Sequence, residues 1–259
     1  MARLSKAQIK AHEEACGLLK KPWLNDDERE FVLIHWQESA HHINSAAGAF
    51  FTPSGLARDT AIYTNGAETI IDLCAGIGGL GLWSWWLSDR KAVVTCIEVN
   101  PDYVEVGRKL FPEANWICAS VEEAAGKYDC AISNPPFGKT AQIKGPRYSG
   151  EDDLAVVDIA ADLAEWGVFI LPQGSVPFRY SGEPYYRKES TTKCDKFTRC
   201  TGIVLNCEST DASYYRGEWR GVSPAVEVAS AHFGEWREQF QPTADDDPQM
   251  SLFGKREAA

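Results

Sequence analysis

The chain has 259 residues, of which 44% are hydrophobic, 24% charged and 11% aromatic. That balance describes a globular chain of one or two domains with a sizeable core, and it excludes the disordered and fibrous classes. With 26 basic against 37 acidic residues the net charge is −11, which excludes a protein that coats nucleic acid by bulk charge but not one with a local basic face.

Residues 5–20 read as a first helix, with Ile9, Ala15, Leu18 and Leu19 as its apolar positions and Lys21-Pro22 as its stop. Lys6, Lys10, Glu13 and Glu14 interrupt this stretch, so it is not the apolar segment of a signal peptide. A second helix starts at Asn25, an N-cap with Glu28 three residues on, as in a capping box. Phe31, Leu33 and Ile34 form its apolar stripe, and His41 and His42 fall near its end, where the helix dipole favours them. From Thr69 onward, short apolar runs alternate with amphipathic stretches. Strands are expected over 69–73, 92–97, 115–119, 128–133, 167–171, 201–206 and 225–231, and helices over 78–87, 101–110 and 153–165. In the last helix Asp158, Asp162 and Glu165 read as one solvated face. This alternation implies an α/β domain with a mostly parallel sheet. Residues 241–259 are polar and charge-mixed and read as a disordered tail. The chain thus divides into an N-terminal helical segment (1–48), an α/β domain (49–240) and the tail (241–259).

Apolar runs such as Val168-Phe169-Ile170-Leu171 are too short for a membrane span. The eight cysteines include no C-x-x-C pair, and Cys194, Cys200 and Cys207 are irregularly spaced with no histidine nearby. They read as reduced side chains of a cytoplasmic protein, without a metal site.

Residues 71–81 join the first strand to a helix through Gly76, Gly78 and Gly81, which satisfy G-x-G-x-x-G. Glycines at such a junction let the backbone approach a ligand closely and turn tightly into the helix. Glu98 ends the next strand, at the distance where an acid meets a ribose in such folds. The loop alone suits either a dinucleotide or S-adenosylmethionine.

Asn134-Pro135-Pro136-Phe137 follows the fourth strand. With it, residues 49–172 resemble the S-adenosylmethionine-dependent amino methyltransferases, which carry D/N-P-P-F/Y/W at this point. Phe51-Thr52-Pro53 upstream is similar to the cofactor-binding motif that precedes the glycine loop in N6-adenine DNA methyltransferases, and the order of blocks resembles their gamma class. The resemblance implies a Rossmann-like class I methyltransferase fold, a seven-stranded mostly parallel sheet flanked by helices, with S-adenosyl-L-methionine as cofactor. It implies that Thr52, Pro53, Asp72, Cys74, Ala75, Gly76, Gly78 and Asn134 surround the methionine part of that cofactor. Glu98 would bind the ribose, with Val99, Ser120 and Val121 about the adenine. Many family members carry an acid near position 120, where this chain has Ser120.

The chemistry explains the motif. The exocyclic nitrogen of adenine is a poor nucleophile because its lone pair is delocalised into the ring. The resemblance gives the Asn134 side-chain oxygen and the Pro135 carbonyl the task of accepting hydrogen bonds from that amino group, and Phe137 that of stacking on an extruded base. Pro135 and Pro136 stiffen the loop, since each ring fixes φ and removes a donor.

Asn-Pro-Pro-Phe/Tyr also occurs in methyltransferases of ribosomal RNA and of protein glutamine. Two features point to DNA. Lys139, Lys144 and Arg147 form a basic block without an acid between Gly138 and Gly150. A second stretch holds Arg179, Arg187, Lys188, Lys193, Lys196 and Arg199 with Tyr180, Tyr185 and Tyr186 interleaved, diluted by Glu183, Glu189 and Asp195. Cations with aromatics suit phosphate and base contacts, and Lys139, Lys144, Arg147, Arg187 and Lys188 are the expected ones. The tail also contains Gln249-Met250-Ser251-Leu252-Phe253, which resembles the pentapeptide that binds the bacterial DNA polymerase sliding clamp. The expected protein is a DNA adenine N6-methyltransferase of bacterial or phage type. The alternatives are an RNA methyltransferase acting on an adenine or guanine amino group, and a non-catalytic protein on the same fold that binds DNA or the clamp.

Overall fold

A computed structural model describes residues 5–37, 50–219 and 223–239. Helix α1 (Lys6–Leu18) starts in a capping box between Ser5 and Gln8, and α2 (Asp26–His35) in the expected one between Asn25 and Glu28. Their buried faces are narrower than expected. Ile9 and Ile34 are 42% and 43% exposed, while Ala15 and Leu33 face the core as expected and Val32 joins them. The elements that follow are α3 (Ser54–Ala61), β1 (Thr69–Leu73), α4 (Gly79–Leu87), β2 (Val93–Glu98), α5 (Pro101–Leu110), β3 (Asn115–Cys118) and β4 (Tyr128–Ser133). Then come α6 (Asp152–Leu163), β5 (Ala164–Pro172), β6 (Phe178–Arg179), β7 (Arg187–Lys188), α7 (Thr192–Thr201), β8 (Asn206–Cys207), β9 (Val226–His232) and α8 (Phe233–Gln239). His41, His42 and the pentapeptide Gln249 to Phe253 lie outside the described residues.

Seven strands form one sheet in the order β3-β2-β1-β4-β5-β9-β8. β1 to β5 are parallel, and β9 runs antiparallel to both of its neighbours. Strand order reverses between β1 and β4, and the loops leaving those two strands diverge there, opening a crevice at the carboxyl edge of the sheet. The glycine loop leaves β1 and Asn134 leaves β4, so both motifs border it. Apolar side chains of β1 alternate between the two faces of the sheet. Ile70 joins a core that includes Leu82, Val94 and Phe111, while Ile71 and Leu73 join another built on α6. Ala15, Leu24, Val32 and Leu33 of the N-terminal segment belong to the first core. Arg29 ties α2 to the turn between α5 and β3 through a bidentate pair with Glu113, at 2.8 and 3.0 Å.

Two expectations about elements are corrected. The segment 201–206 is not a strand. Cys194, Phe197 and Thr201 are buried at helical spacing, α7 runs through Thr201, and Gly202 caps it at φ 72°. Only Asn206 and Cys207 pair with β9. The acidic face of α6 is solvated only in part. Asp158 is fully buried, bound by the Arg147 side chain and by two backbone amides, whereas Asp162 is half-buried and Glu165 is exposed but belongs to β5, which begins directly where α6 ends. Among the described residues, no helix is long and apolar enough to cross a membrane.

Candidate active site

The glycine loop is shaped by backbone conformations that few side chains tolerate. Cys74, Gly76 and Gly78 have φ of 61°, 58° and 89°. A Cβ on Gly78 would come within 2.9 Å of the Trp116 ring, so glycine is required there for space as well as for conformation. The loop is tied to β2. Ala75 N–H donates to the Ile97 carbonyl at 2.9 Å, and Gly76 N–H to Glu98 Oε2 at 2.8 Å. Glu98 Oε1 accepts from Asn100 N–H at 2.9 Å. The acid expected to meet a ribose therefore also holds the loop that would approach the same ligand, and two amides keep its carboxylate oriented.

Two adjoining cavities lie in the crevice and share Phe50, Phe51, Cys74, Gly76 and Asn134 in their walls. The larger, about 230 Å³, is also lined by Glu98, Val99, Ser120, Val121 and Pro136. The smaller, about 40 Å³, is lined by Thr52, Asp72, Ala75 and Gly79 among others. Of the residues expected at the cofactor, those about the adenosine part border the first cavity, and Thr52, Asp72 and Ala75 border the second. Pro53 caps α3 instead, and Gly78 caps α4.

Asp72 is 1% exposed. Its Oδ2 accepts from Gly81 N–H at 2.9 Å, while its Oδ1 is buried without a partner. Burial raises its pKa from 3.8 to about 8, and nearby Glu98 adds to the rise. Burial likewise pushes the Cys74 thiol well above its ordinary value, so this cysteine is no thiolate nucleophile.

At the end of β4 the Ser133 hydroxyl donates to the Leu73 carbonyl, coupling the start of the loop after β4 to the end of β1, where the glycine loop begins. The Asn134 amide nitrogen donates to the Phe50 carbonyl at 2.8 Å and to Thr52 Oγ1 at 2.9 Å. With both donors committed, the amide group cannot rotate, and its Oδ1 is left buried without a partner. Pro135 is buried, and half-buried Phe137 rests on Phe50 with ring centroids 6.0 Å apart.

The expected nucleic-acid contacts divide into two groups. Lys139, Lys144 and Lys188 are exposed. Arg187 is exposed too, but lies between Glu183 at 3.4 Å and Glu189 at 3.0 Å. The Arg147 guanidinium is directed inward. It binds Asp158 at 2.6 Å and Asp162 at 2.8 Å and lies over the Trp236 ring at 4.7 Å. Its partners were read as a solvated face, which is why its inward role was not legible. Tyr103, Glu122, Ala141 and Ile143 also line the larger cavity without having been singled out. Tyr103 carried a signal, since it sits in the first turn of the helix after the acid-bearing strand, where it meets Phe51 with centroids 5.1 Å apart.

Residues 59–146 match the methyltransferase small domain family. None of the curated proteins matches the sequence. The chain is similar in structure to a protein from Listeria monocytogenes described as a class I S-adenosylmethionine-dependent methyltransferase. Identity is 12% over 88% of this chain and 81% of that one, with a TM-score of 0.54. It is similar to the methyltransferase subunit of a type I restriction-modification system from Streptococcus thermophilus, at 16% identity over 81% of this chain and 51% of that one, TM-score 0.50. A protein from Pyrococcus horikoshii described as an RNA methyltransferase aligns at 16% identity over 85% of this chain and 95% of that one, TM-score 0.47. The paired cavities, the unpartnered Asp72 oxygen and the glycine backbone fit a ligand with an adenosine part and a cationic amino-acid part. The sheet, with its reversed β9, is the Rossmann-like fold of class I methyltransferases, and the matched family together with that fold supports S-adenosyl-L-methionine as the cofactor.

Proposed function

We propose that the protein is a DNA adenine N6-methyltransferase. The observation that carries this reading is the Asn134 side chain, whose amide nitrogen is committed to Phe50 and Thr52 and whose buried oxygen is free to accept in the cavity wall. S-adenosylmethionine supplies an electrophilic methyl group on its sulfonium. Asp72 would hold the ammonium of that cofactor through its unpartnered oxygen, and Glu98 would hold the ribose hydroxyls. Asn134 Oδ1 and the Pro135 carbonyl accept hydrogen bonds from the amino group of the target base. Two acceptors favour a pyramidal nitrogen, which localises the lone pair for attack. The acceptors are held in place before the reaction, so the geometry costs no reorganisation when charge develops. Phe137, steadied by Phe50, stacks on the extruded base, since the amino group is out of reach inside a duplex.

DNA is favoured as the acceptor by the resemblance of 49–172 to N6-adenine DNA methyltransferases and by the clamp-like pentapeptide Gln249 to Phe253. Exposed Lys139, Lys144 and Lys188 offer phosphate contacts on a chain of net charge −11. A cytoplasmic location belongs to the same reading.

Tritium transfer from labelled S-adenosylmethionine tests it, with duplex DNA, total RNA and ribosomal protein offered in parallel. The expected product is N6-methyladenine in DNA, with roughly a 100-fold or greater loss of rate in Asn134→Ala. Label in RNA or protein would overturn the acceptor, and no label anywhere would leave a non-catalytic binding protein.

A further inference from the structure

The loop after Asn134-Pro135-Pro136-Phe137 is gripped by α6. Asp152 and Asp153, at the start of that helix, are both 0% exposed. Gly138 N–H donates to Asp153 Oδ1 at 3.1 Å, and Asp152 N–H donates back to the Gly138 carbonyl at 2.5 Å. Ala141 N–H donates to Asp152 Oδ2 at 2.7 Å, and Ile143 N–H to Asp152 Oδ1 at 2.8 Å. Between those two donors Gln142 has φ 58°, a left-handed conformation that a non-glycine residue keeps only where its surroundings impose it. The turn aims two amides at one carboxylate, and a carboxylate accepting two amides is a strong anchor. Ala141 and Ile143 line the larger cavity. Farther along, the amides of Arg147 and Tyr148 donate to Asp158 Oδ2 at 2.6 and 2.8 Å, and neither residue is among the cavity's lining.

We propose that Asp152 is a positioning residue for the cofactor. By accepting from both amides that flank Gln142 it imposes the left-handed turn, which sets the places of Ala141 and Ile143 and hence the shape of the cavity wall they share with Asn134 and Pro136. Asp158 anchors the same loop but acts on stability alone. The inference rests on the reading of this cavity as the cofactor site, and it requires nothing of the methyl acceptor.

The test is isothermal titration of the full chain with S-adenosylhomocysteine, paired with amide hydrogen exchange and thermal unfolding. Asp152→Asn keeps one acceptor oxygen of two. Its expected result is affinity weaker by about tenfold, as loss of a hydrogen bond to a charged group implies, with faster exchange at Ala141 and Ile143 and unchanged exchange in β1 to β5. Gln142→Pro, which locks φ near −65° without touching a buried group, is expected to weaken binding in the same direction. Asp158→Asn is expected to lower the unfolding temperature and leave the affinity at the parental value. Parental affinity in Gln142→Pro, or an equal loss in Asp158→Asn and Asp152→Asn, overturns the proposal. A parent chain that does not bind S-adenosylhomocysteine overturns the reading of the cavity, and the proposal with it.

Discussion

Asn134 and Asp72 show how one side chain is prepared by its neighbours. Each has one polar end satisfied by a specific partner and the other end buried and open toward a cavity. For Asp72 this has a consequence for pH. Its folded pKa of about 8 lies above the ordinary 3.8, so the folded state retains a proton that the unfolded state releases. The contribution of this group to stability is therefore full below about pH 4 and is lost as pH rises toward 8. A bound ammonium beside Asp72 favours the charged form, so binding is coupled to proton release. S-adenosylhomocysteine is expected to bind more tightly by up to about tenfold per pH unit between pH 6 and 8. In Asp72→Asn that dependence is expected to flatten. Titration calorimetry at several pH values checks both, and a profile as steep in the variant as in the parent would assign the coupling to another group.

Helix α6 is the element whose role departs furthest from its sequence pattern. Asp158, Asp162 and Glu165 read as one solvated face because charges at helical spacing usually mark one. In the fold, Asp152, Asp153 and Asp158 are buried, each accepting from the loop between Gly138 and Tyr148. The helix thus serves as a rail for the loop that follows Asn134-Pro135-Pro136-Phe137. Arg147 closes the far end by pairing with Asp158 and Asp162 under Trp236. Arg147→Met keeps much of the packing but leaves Asp158 buried without its guanidinium. The expected cost is roughly 2–3 kcal/mol, below that of a fully buried pair because Arg147 is partly exposed. It should appear as a lower urea midpoint at an unchanged slope. A midpoint equal to the parent's, with weakened DNA binding, would return Arg147 to the role of a phosphate contact. α7 holds a related lesson. Gly202 was a visible helix stop after a stretch with buried positions at 194, 197 and 201, yet the β-branched run beyond it read as a strand.

Across the whole molecule, the loops after β1 and β4 and the acid that ends β2 share the carboxyl edge of the sheet, and an acidic protein proposed to act on a polyanion would need help to stay on it. The proposed tail would supply it by tethering, which would raise the local concentration of the protein on DNA without any new contact in the active site. Replacing both Leu252 and Phe253 with alanine is expected to abolish binding to a bacterial sliding clamp while leaving methylation of short duplexes at the parental rate. Surface plasmon resonance against immobilised clamp and a filter assay on oligonucleotides separate the two effects. Retained clamp binding in the double variant would discard the tail as a tether.

The sequence by itself determined the parallel core of the fold and which motifs stand at its edge. β1, α5 and β4 fall on the expected residues, the glycine loop and Asn134 were legible, and so was Glu98. These rest on local rules: apolar runs of strand length, a glycine where φ must be positive, and a proline pair that restricts a loop. Tertiary structure alone decided which charges are solvated, which loop residues form the cavity wall, and that β9 runs against its neighbours. The burial of Asp158 depends on Arg147, eleven residues away, folding back over α6. The place of Ala141 and Ile143 depends on a carboxylate beyond the next turn. Pairing of this kind leaves no period or composition in the chain, because it is set by what the completed sheet brings into contact.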